Sequence, residues 1–278
     1  AREAAGPYAR PHTVPATGGV PANLKNNTII APFNDAETLD QILSEHEGEI
    51  AAVITEPALM NVGIMLPKDD YLQQLRTVTR RHDVLLIFDE VKTGVTVAPG
   101  GITEIYPVEP DLICLAKSIG GGAPIGAFGG RKDIMDLIGE RKVYHMGTFN
   151  GNPLAMTAAR VTLTRLLTSE GHAHANSLSR QLADAYLGII DEYDMPMHVA
   201  QIGAKGCAMF RHERAYNYRA WWEVDMHLSY AYWLFLANRG ILFPPGLDDQ
   251  WTISIQHTQD DIDHHAHVFQ QFVKELLR

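Results

Sequence analysis

The sequence predicts an α/β protein, a large domain built on a mostly parallel sheet followed by a smaller α+β domain. Two observations carry this expectation. From Thr28 onward short β-rich runs alternate with helical periods in the order βαβαβ, and parallel neighbours need such crossovers to bring the chain back to the same end of a sheet. Beyond about Ser169 the alternation gives way to long helices and a few separated strands, so the division falls between residues 1–168 and residues 169–278.

Each element has its own justification. The opening stretch "AREAAGPYARPHTVPATGGVPANLKNN" is rich in Pro, Gly and Asn and reads as loop. "TIIAPF" is a first short β run. In "DAETLDQILSEH" the side chains of Leu39, Ile42 and Leu43 share one helical face, and in "KDDYLQQLRTVTRRH" Leu72, Leu75 and Val78 or Thr79 do the same. "EIAAVITEP", "VLLIFDE" and "DLICLAK" are apolar runs of strand length, and "APIGAFGG" is a shorter one before the helix "RKDIMDLI". "LAMTAARVTLTRLL" has Ala-rich helical periodicity, with Asn152 as N-cap and Pro153 at the first helical position. The C-terminal part reads as the helix "ANSLSRQLADAYLGIIDEY", strands "MHVAQIG" and "CAMFRH", an aromatic helix near "WWEVDMHLSYAYWLFLANRG", the strand "WTISIQH" and a final helix.

Composition narrows the function classes. Of the 278 residues, 46% are hydrophobic and 20% charged, enough for a large core. The 23 Lys and Arg against 33 Asp and Glu give a formal charge of -10, which argues against an extended nucleic-acid footprint. Two cysteines, Cys114 and Cys207, are too few for a disulfide framework and fit a reducing cytoplasm. No uninterrupted apolar window has membrane-spanning length, and no secretory leader pattern opens the sequence. His264, His265 and His267 offer one i,i+3 pair and no nearby cysteine, a poor metal set. The aromatic residues of "WWEVDMHLSYAYWLF" read as packing.

Three apolar runs end in polar residues: "AAVITEP" at Glu56, "LLIFDE" at Asp89 and Glu90, and "LICLAK" at Lys117. The carboxyl ends of parallel strands lie along one edge, the edge where such sheets bind ligands. Each residue taken alone is equally a solvated strand end, and a salt bridge between Asp89 and Lys117 is a second structural explanation. The glycines after Lys117, in "AKSIGGGAPIGAFGG", allow backbone to approach a bound molecule closely. A lysine on such a turn suits covalent work on a carbonyl, by way of a Schiff base, if its surroundings lower its pKa. Asp89 would then hold a proton on a heterocyclic nitrogen.

"IFDEVKTG", then "CLAKSIGGGAPIGAFGG", then "GTFNGNP" together resemble the class III aminotransferases that use pyridoxal 5'-phosphate, and within them the subgroup of glutamate-1-semialdehyde 2,1-aminomutase and its aminotransferase relatives. The resemblance covers nearly the whole chain, most closely from Glu56 to Leu167. It implies fold type I and a homodimer with shared active sites. Lys117 would form the Schiff base and shuttle the substrate proton, Asp89 would pair with the pyridine nitrogen, and Val91 would press on a ring face. Asn61, in "EPALMNVG", would contact the ring's phenolic oxygen. Thr148 and the Gly147 backbone would reach the phosphate of the neighbouring subunit's cofactor, and Glu90 would support the local hydrogen bonds.

The resemblance implies an aminotransferase working on an amino acid or amine and a keto acid, with an aminomutase as the alternative. A non-catalytic binding protein on the same fold is the rival from another class, and retention of Lys117 speaks against it. Two departures stand out. The family's glycine-rich phosphate turn and aromatic ring stacker belong to a segment that precedes anything in this sequence, so a longer chain is expected. "GILFPPGLDDQWTISIQHT" lacks an arginine for a substrate carboxylate and has Asp248, Asp249 and Trp251 instead.

Overall fold

A computed structural model describes residues 2–244 and 250–278. Asp35 starts the first long helix, α1 (Ala36–Glu45), by accepting the Thr38 N–H at 2.9 Å, the N-cap bond that satisfies an otherwise orphaned donor. The apolar stripe of α1 buries Leu39, Ile42 and Leu43, and that of α2 (Tyr71–Arg81) buries Leu72, Leu75, Val78 and Thr79. Both predicted faces therefore pack inward. Between and after these helices run β1 (Ala52–Thr55), β2 (Leu85–Asp89) and β3 (Leu112–Ala116), mutually parallel, with β4 (Gly126–Gly130) antiparallel to β3. The sheet order is β1-β2-β3-β4. Alternation along β2 sends Leu86 and Phe88 into the core and leaves Leu85, Ile87 and Asp89 half-buried on the opposite face.

The first expected strand is not one. Residues 28–32 have no regular secondary structure, Ile29 and Ile30 are exposed, and β1 is the edge of the sheet. β propensity alone does not make a strand; a ladder partner does. Two short helices, α3 (Gly94–Val97) and α4 (Ile102–Ile105), follow β2, and α5 (Lys132–Gly139) follows β4. α6 (Pro153–Val161) begins as expected, with Asn152 Oδ1 accepting the Ala155 N–H at 2.9 Å. It runs on into a π-helical turn, Thr162–Leu166.

Thr168 caps α7 (Ser169–Glu192), which leads to the antiparallel sheet β5 (His198–Ile202), β6 (Lys205–Met209) and β7 (Gln250–Thr252). Helices α8 (Tyr218–Trp221), α9 (Met226–Ala237) and α10 (Gln259–Leu276) complete the chain. One core here centres on Tyr186, stacked 3.8 Å from Phe269, with Tyr232, Trp251 and His265 around it. Burial pushes the His265 imidazole down to about 3, so it packs as a neutral ring. The other face of the small sheet, through Ala200, Ile202, Cys207 and Met209, joins the core of α1, α2 and β2. We propose the domain boundary at 168/169, where the chain leaves one sheet for the other, with a core shared across it. No described helix is long and apolar enough to cross a membrane.

The end of the large sheet away from the candidate site is tied by Asp111. Its side chain is 2% exposed and accepts from Arg76 at 2.6 and 2.9 Å, from Arg131 at 3.0 Å and from the Leu86 N–H at 2.8 Å. Burial opposes its charge, but the bonds from Arg76, Leu86 and Arg131 outweigh it and hold the carboxyl well below the usual carboxylate range. A depressed folded-state pKa stabilises above the unfolded value and is lost as pH falls below about 4. Asp111→Ala should cost about 3–5 kcal/mol in urea unfolding at neutral pH, because it strands a mostly buried guanidinium. The gap to wild type should narrow as pH falls below about 4. Equal unfolding midpoints at neutral pH would show the network to be inert.

Candidate active site

Parallel register sets the first geometric fact. Thr55 lies opposite Phe88, and Asp89 lies opposite Cys114, so Glu56, Asp89 and the end of β3 share one edge of the sheet. β3 ends at Ala116, and Lys117 is the next residue. The two residues singled out for chemistry thus come from the carboxyl ends of adjacent strands, the placement that parallel sheets use for ligands.

Asp89 is half-buried, and its Oδ1 accepts the Val91 N–H at 3.0 Å. It forms no ion pair among the described residues, so the salt bridge with Lys117 that would have explained both residues structurally is not formed. Burial, and secondarily the Asp89 charge, raise the Cys114 thiol, which marks the carboxylate's field at this edge. Val91 is half-buried beside it. Glu90 points the other way: it is 1% exposed and accepts the Ile102 N–H at 2.7 Å and the Thr93 hydroxyl at 3.1 Å. Burial raises its carboxyl above the usual range. Glu90 thus supports the hydrogen bonds of the loop between α3 and α4, and Gly101 leaves room for it, since a Cβ there would come within 2.5 Å of Glu90 Oε2.

Lys117 is exposed and adopts φ 50°, in the left-handed region that costs a residue with a Cβ about 1–2 kcal/mol. It has no hydrogen bond or ion pair with any described residue. Strain held at a lysine whose amine no described residue engages is the kind of outlier that accompanies function. The glycines that follow have a different explanation from the one expected. At Gly121 (φ 56°) a Cβ would fall 2.2 Å from Thr162 Oγ1, and at Gly120 it would fall 2.6 Å from Ile125, so both allow close packing within the chain. Gly122, at φ 99°, is the one of the three with open space around it.

Other candidates separate. Asn61 sits on the same edge, in a turn after β1 closed by the Leu59–Met65 bridge, and its Oδ1 accepts from Lys92 Nζ at 2.7 Å. Sequence reasoning missed Lys92; a lysine inside "DEVKTG" was the available signal. Glu56 Oε2 accepts the Met60 N–H at 3.3 Å and so caps that turn. Gly147 and Thr148 lie in the exposed stretch 141–150, and neither is in hydrogen-bond contact with Asp89 or Lys117. Trp251, which the sequence has in the segment that lacks a carboxylate-binding arginine, is 4% exposed, donates to Ser179 Oγ at 3.1 Å and covers Gly206 within the C-terminal core. Asp248 and Asp249 lie outside the described residues. A cavity of about 720 Å³ runs along edge strand β1, between Tyr8, Ile30, Ile54, Tyr71 and Arg219. Neither Asp89 nor Lys117 lines it, which makes it the weaker candidate.

The donor set fits the pyridoxal cofactor that the motifs imply. A carboxylate with no cationic partner among the described residues suits a protonated ring nitrogen, an amine that none of them engages suits a carbonyl, and the aliphatic Val91 beside the carboxylate suits a ring face. The comparisons with known proteins agree. The sequence model of a family described as "Aminotransferase class-III" matches residues 8–238. A glutamate-1-semialdehyde 2,1-aminomutase of Akkermansia muciniphila is 37% identical over 261 residues, covering 94% of this chain and 61% of that protein. Among solved structures, a glutamate-1-semialdehyde-aminomutase of Pseudomonas aeruginosa PAO1 in complex with PMP superposes with a TM-score of 0.85 at 28% identity, covering 95% of this chain and 60% of that one. An omega-transaminase of Sphaerobacter thermophilus superposes at 0.90 with 26% identity, covering 97% and 62%.

Proposed function

Because the chain belongs to the class III aminotransferase family, we propose that it uses pyridoxal 5'-phosphate to move an amino group from an amino acid or amine to a keto acid. The observation that carries this reading is the pair of strand ends on adjacent parallel strands, Asp89 with no cation and Lys117 strained and with no hydrogen-bond partner among the described residues. When bound, the cofactor supplies a carbonyl for the substrate's amine and an electron-accepting ring. Lys117 Nζ would hold the cofactor's aldehyde carbon and then carry the proton to and from the substrate carbon. Asp89 would keep a proton on the ring nitrogen, Val91 would fix the ring plane, and Asn61 would contact the ring oxygen.

The chain spans about 61% of the length of the aminomutase it matches, and further phosphate contacts are expected from a partner. Tyr144, Met146, Phe149 and Leu154 are 76–82% exposed around Gly147 and Thr148, an apolar surface that a second subunit would cover. In the resulting homodimer Thr148 and the Gly147 N–H would reach the partner's phosphate. Mixing Thr148→Ala with Lys117→Ala subunits should return part of the activity, because one of the two sites in each heterodimer then carries neither change. Verified heterodimers as inactive as the Lys117→Ala parent would exclude a shared site. A cytoplasmic setting fits a sequence with two cysteines, too few for a disulfide framework; recovery of the native protein with membranes would contradict it.

An aminomutase reading, in which the amine moves within one molecule, is favoured by the aminomutases among the relatives. The two reactions separate experimentally. Protein loaded with an amino donor, freed of keto product and then given pyruvate or 2-oxoglutarate should regain its starting spectrum if amine is transferred between molecules. Isomerisation of one substrate with no response to any external keto acid would establish the mutase instead.

A further inference from the structure

The turn that carries Asn61 is held from three directions. At its base the Leu59 and Met65 backbones exchange hydrogen bonds of 3.0 and 2.9 Å. From the strand-end motif, Lys92 Nζ reaches the Met60 carbonyl at 3.3 Å and Asn61 Oδ1 at 2.7 Å. From β7 of the C-terminal sheet, the buried Gln250 amide donates to the carbonyls of Met60 and Gly63, the latter at 2.9 Å. Gly63, at φ 69°, lies so close to Met209 of β6 that a Cβ would sit 2.5 Å from its sulfur. A solvated surface turn has no need of a long-range polar staple from another sheet.

A lysine has only donors, so its bond identifies the accepting end of the Asn61 amide. The NH2 end is the one left over, and it makes no hydrogen bond to any described residue. An oxygen that carries negative charge needs a donor opposite it, and an amide offering its carbonyl oxygen there would repel it. We infer that Lys92 and Gln250 are positioning residues: Lys92 fixes which end of the Asn61 amide is offered, and Gln250 fixes the backbone that carries it, so that the NH2 group meets the cofactor's ring oxygen. The inference rests on the proposed reading of Asn61 as a ring contact. Neither residue touches the reacting atoms; both act through Asn61.

The test uses cofactor-loaded protein and reads the pH midpoint at which the bound cofactor's visible absorption changes. A donor to the ring oxygen favours its anion, so losing that donor raises the midpoint, by about one pH unit for one hydrogen bond. Asn61→Ala, Lys92→Met and Gln250→Leu are each expected to show that rise. Lys92→Arg should restore the wild-type midpoint, and the double variant Asn61→Ala/Lys92→Met should shift no further than Asn61→Ala alone, since the lysine acts through the amide. In cofactor-free protein, amide hydrogen exchange over residues 59–65 should quicken in Gln250→Leu. Should Gln250→Leu fail to fold, Lys92→Met at its half-buried position decides the question. A shift in Asn61→Ala with none in Lys92→Met would overturn the positioning roles and leave the cofactor reading intact. No visible band in wild type on adding pyridoxal 5'-phosphate would overturn the cofactor reading, and the inference with it.

Discussion

Lys117→Ala should abolish turnover and with it the lysine-linked visible band of the bound cofactor. Proton transfer by a positioned side chain is worth about 10²–10⁴-fold by itself, and loss of the covalent anchor adds to that. Folding should be spared. The side chain is exposed, its amine engages no described residue, and Ala at the same φ 50° meets the strain that Lys117 already bears. Lys117→Gly, which relieves that strain, should be at least as stable as wild type and equally inactive. Borohydride treatment of wild type should fix the cofactor's mass on the peptide containing Lys117. A trapped adduct on some other lysine, or near wild-type turnover in Lys117→Ala, would remove Lys117 from the site.

Asp89→Asn should leave cofactor bound and slow the proton-abstraction step by about 10²–10³-fold, the usual cost of removing one preorganised electrostatic stabiliser. The substituted amide keeps an oxygen that can accept the Val91 N–H, as Asp89 Oδ1 does now at 3.0 Å, so local structure is retained. What it loses is the negative charge that keeps a proton on the ring nitrogen. The measurement is the substrate deuterium isotope effect with single-turnover rates at saturating cofactor: a slower step with a full isotope effect is expected. A rate within a few-fold of wild type would make Asp89 a residue of strand structure alone.

Much of the fold around the candidate site was legible in the sequence because its determinants are local. Apolar runs interrupted by Asp89 and Lys117 mark strand ends, Asn152 followed by Pro153 marks a helix start, and the stripes of α1 and α2 mark their buried faces. The run "TIIAPF" misled because a strand exists only if another strand pairs with it, and no local pattern encodes that partner. The place of Trp251 was hidden for a related reason: it lies in the segment that lacks a carboxylate-binding arginine, yet Ser179 and Gly206, both distant in sequence, draw its ring into the C-terminal core.

The sequence by itself determined the α/β class and singled out the candidate acid and amine at its strand ends, since these follow from periodicity and side-chain chemistry read along one strand at a time. Only the tertiary structure decided that Asp89 has no salt bridge among the described residues, that Lys117 takes a left-handed backbone, that Gly120 and Gly121 make room for Ile125 and Thr162, and that Gln250 holds the Asn61 turn across 187–190 residues of chain. Each of these depends on which distant groups packing brings within a few ångströms, and burial, backbone strain and hydrogen-bond partners have no value until that packing exists.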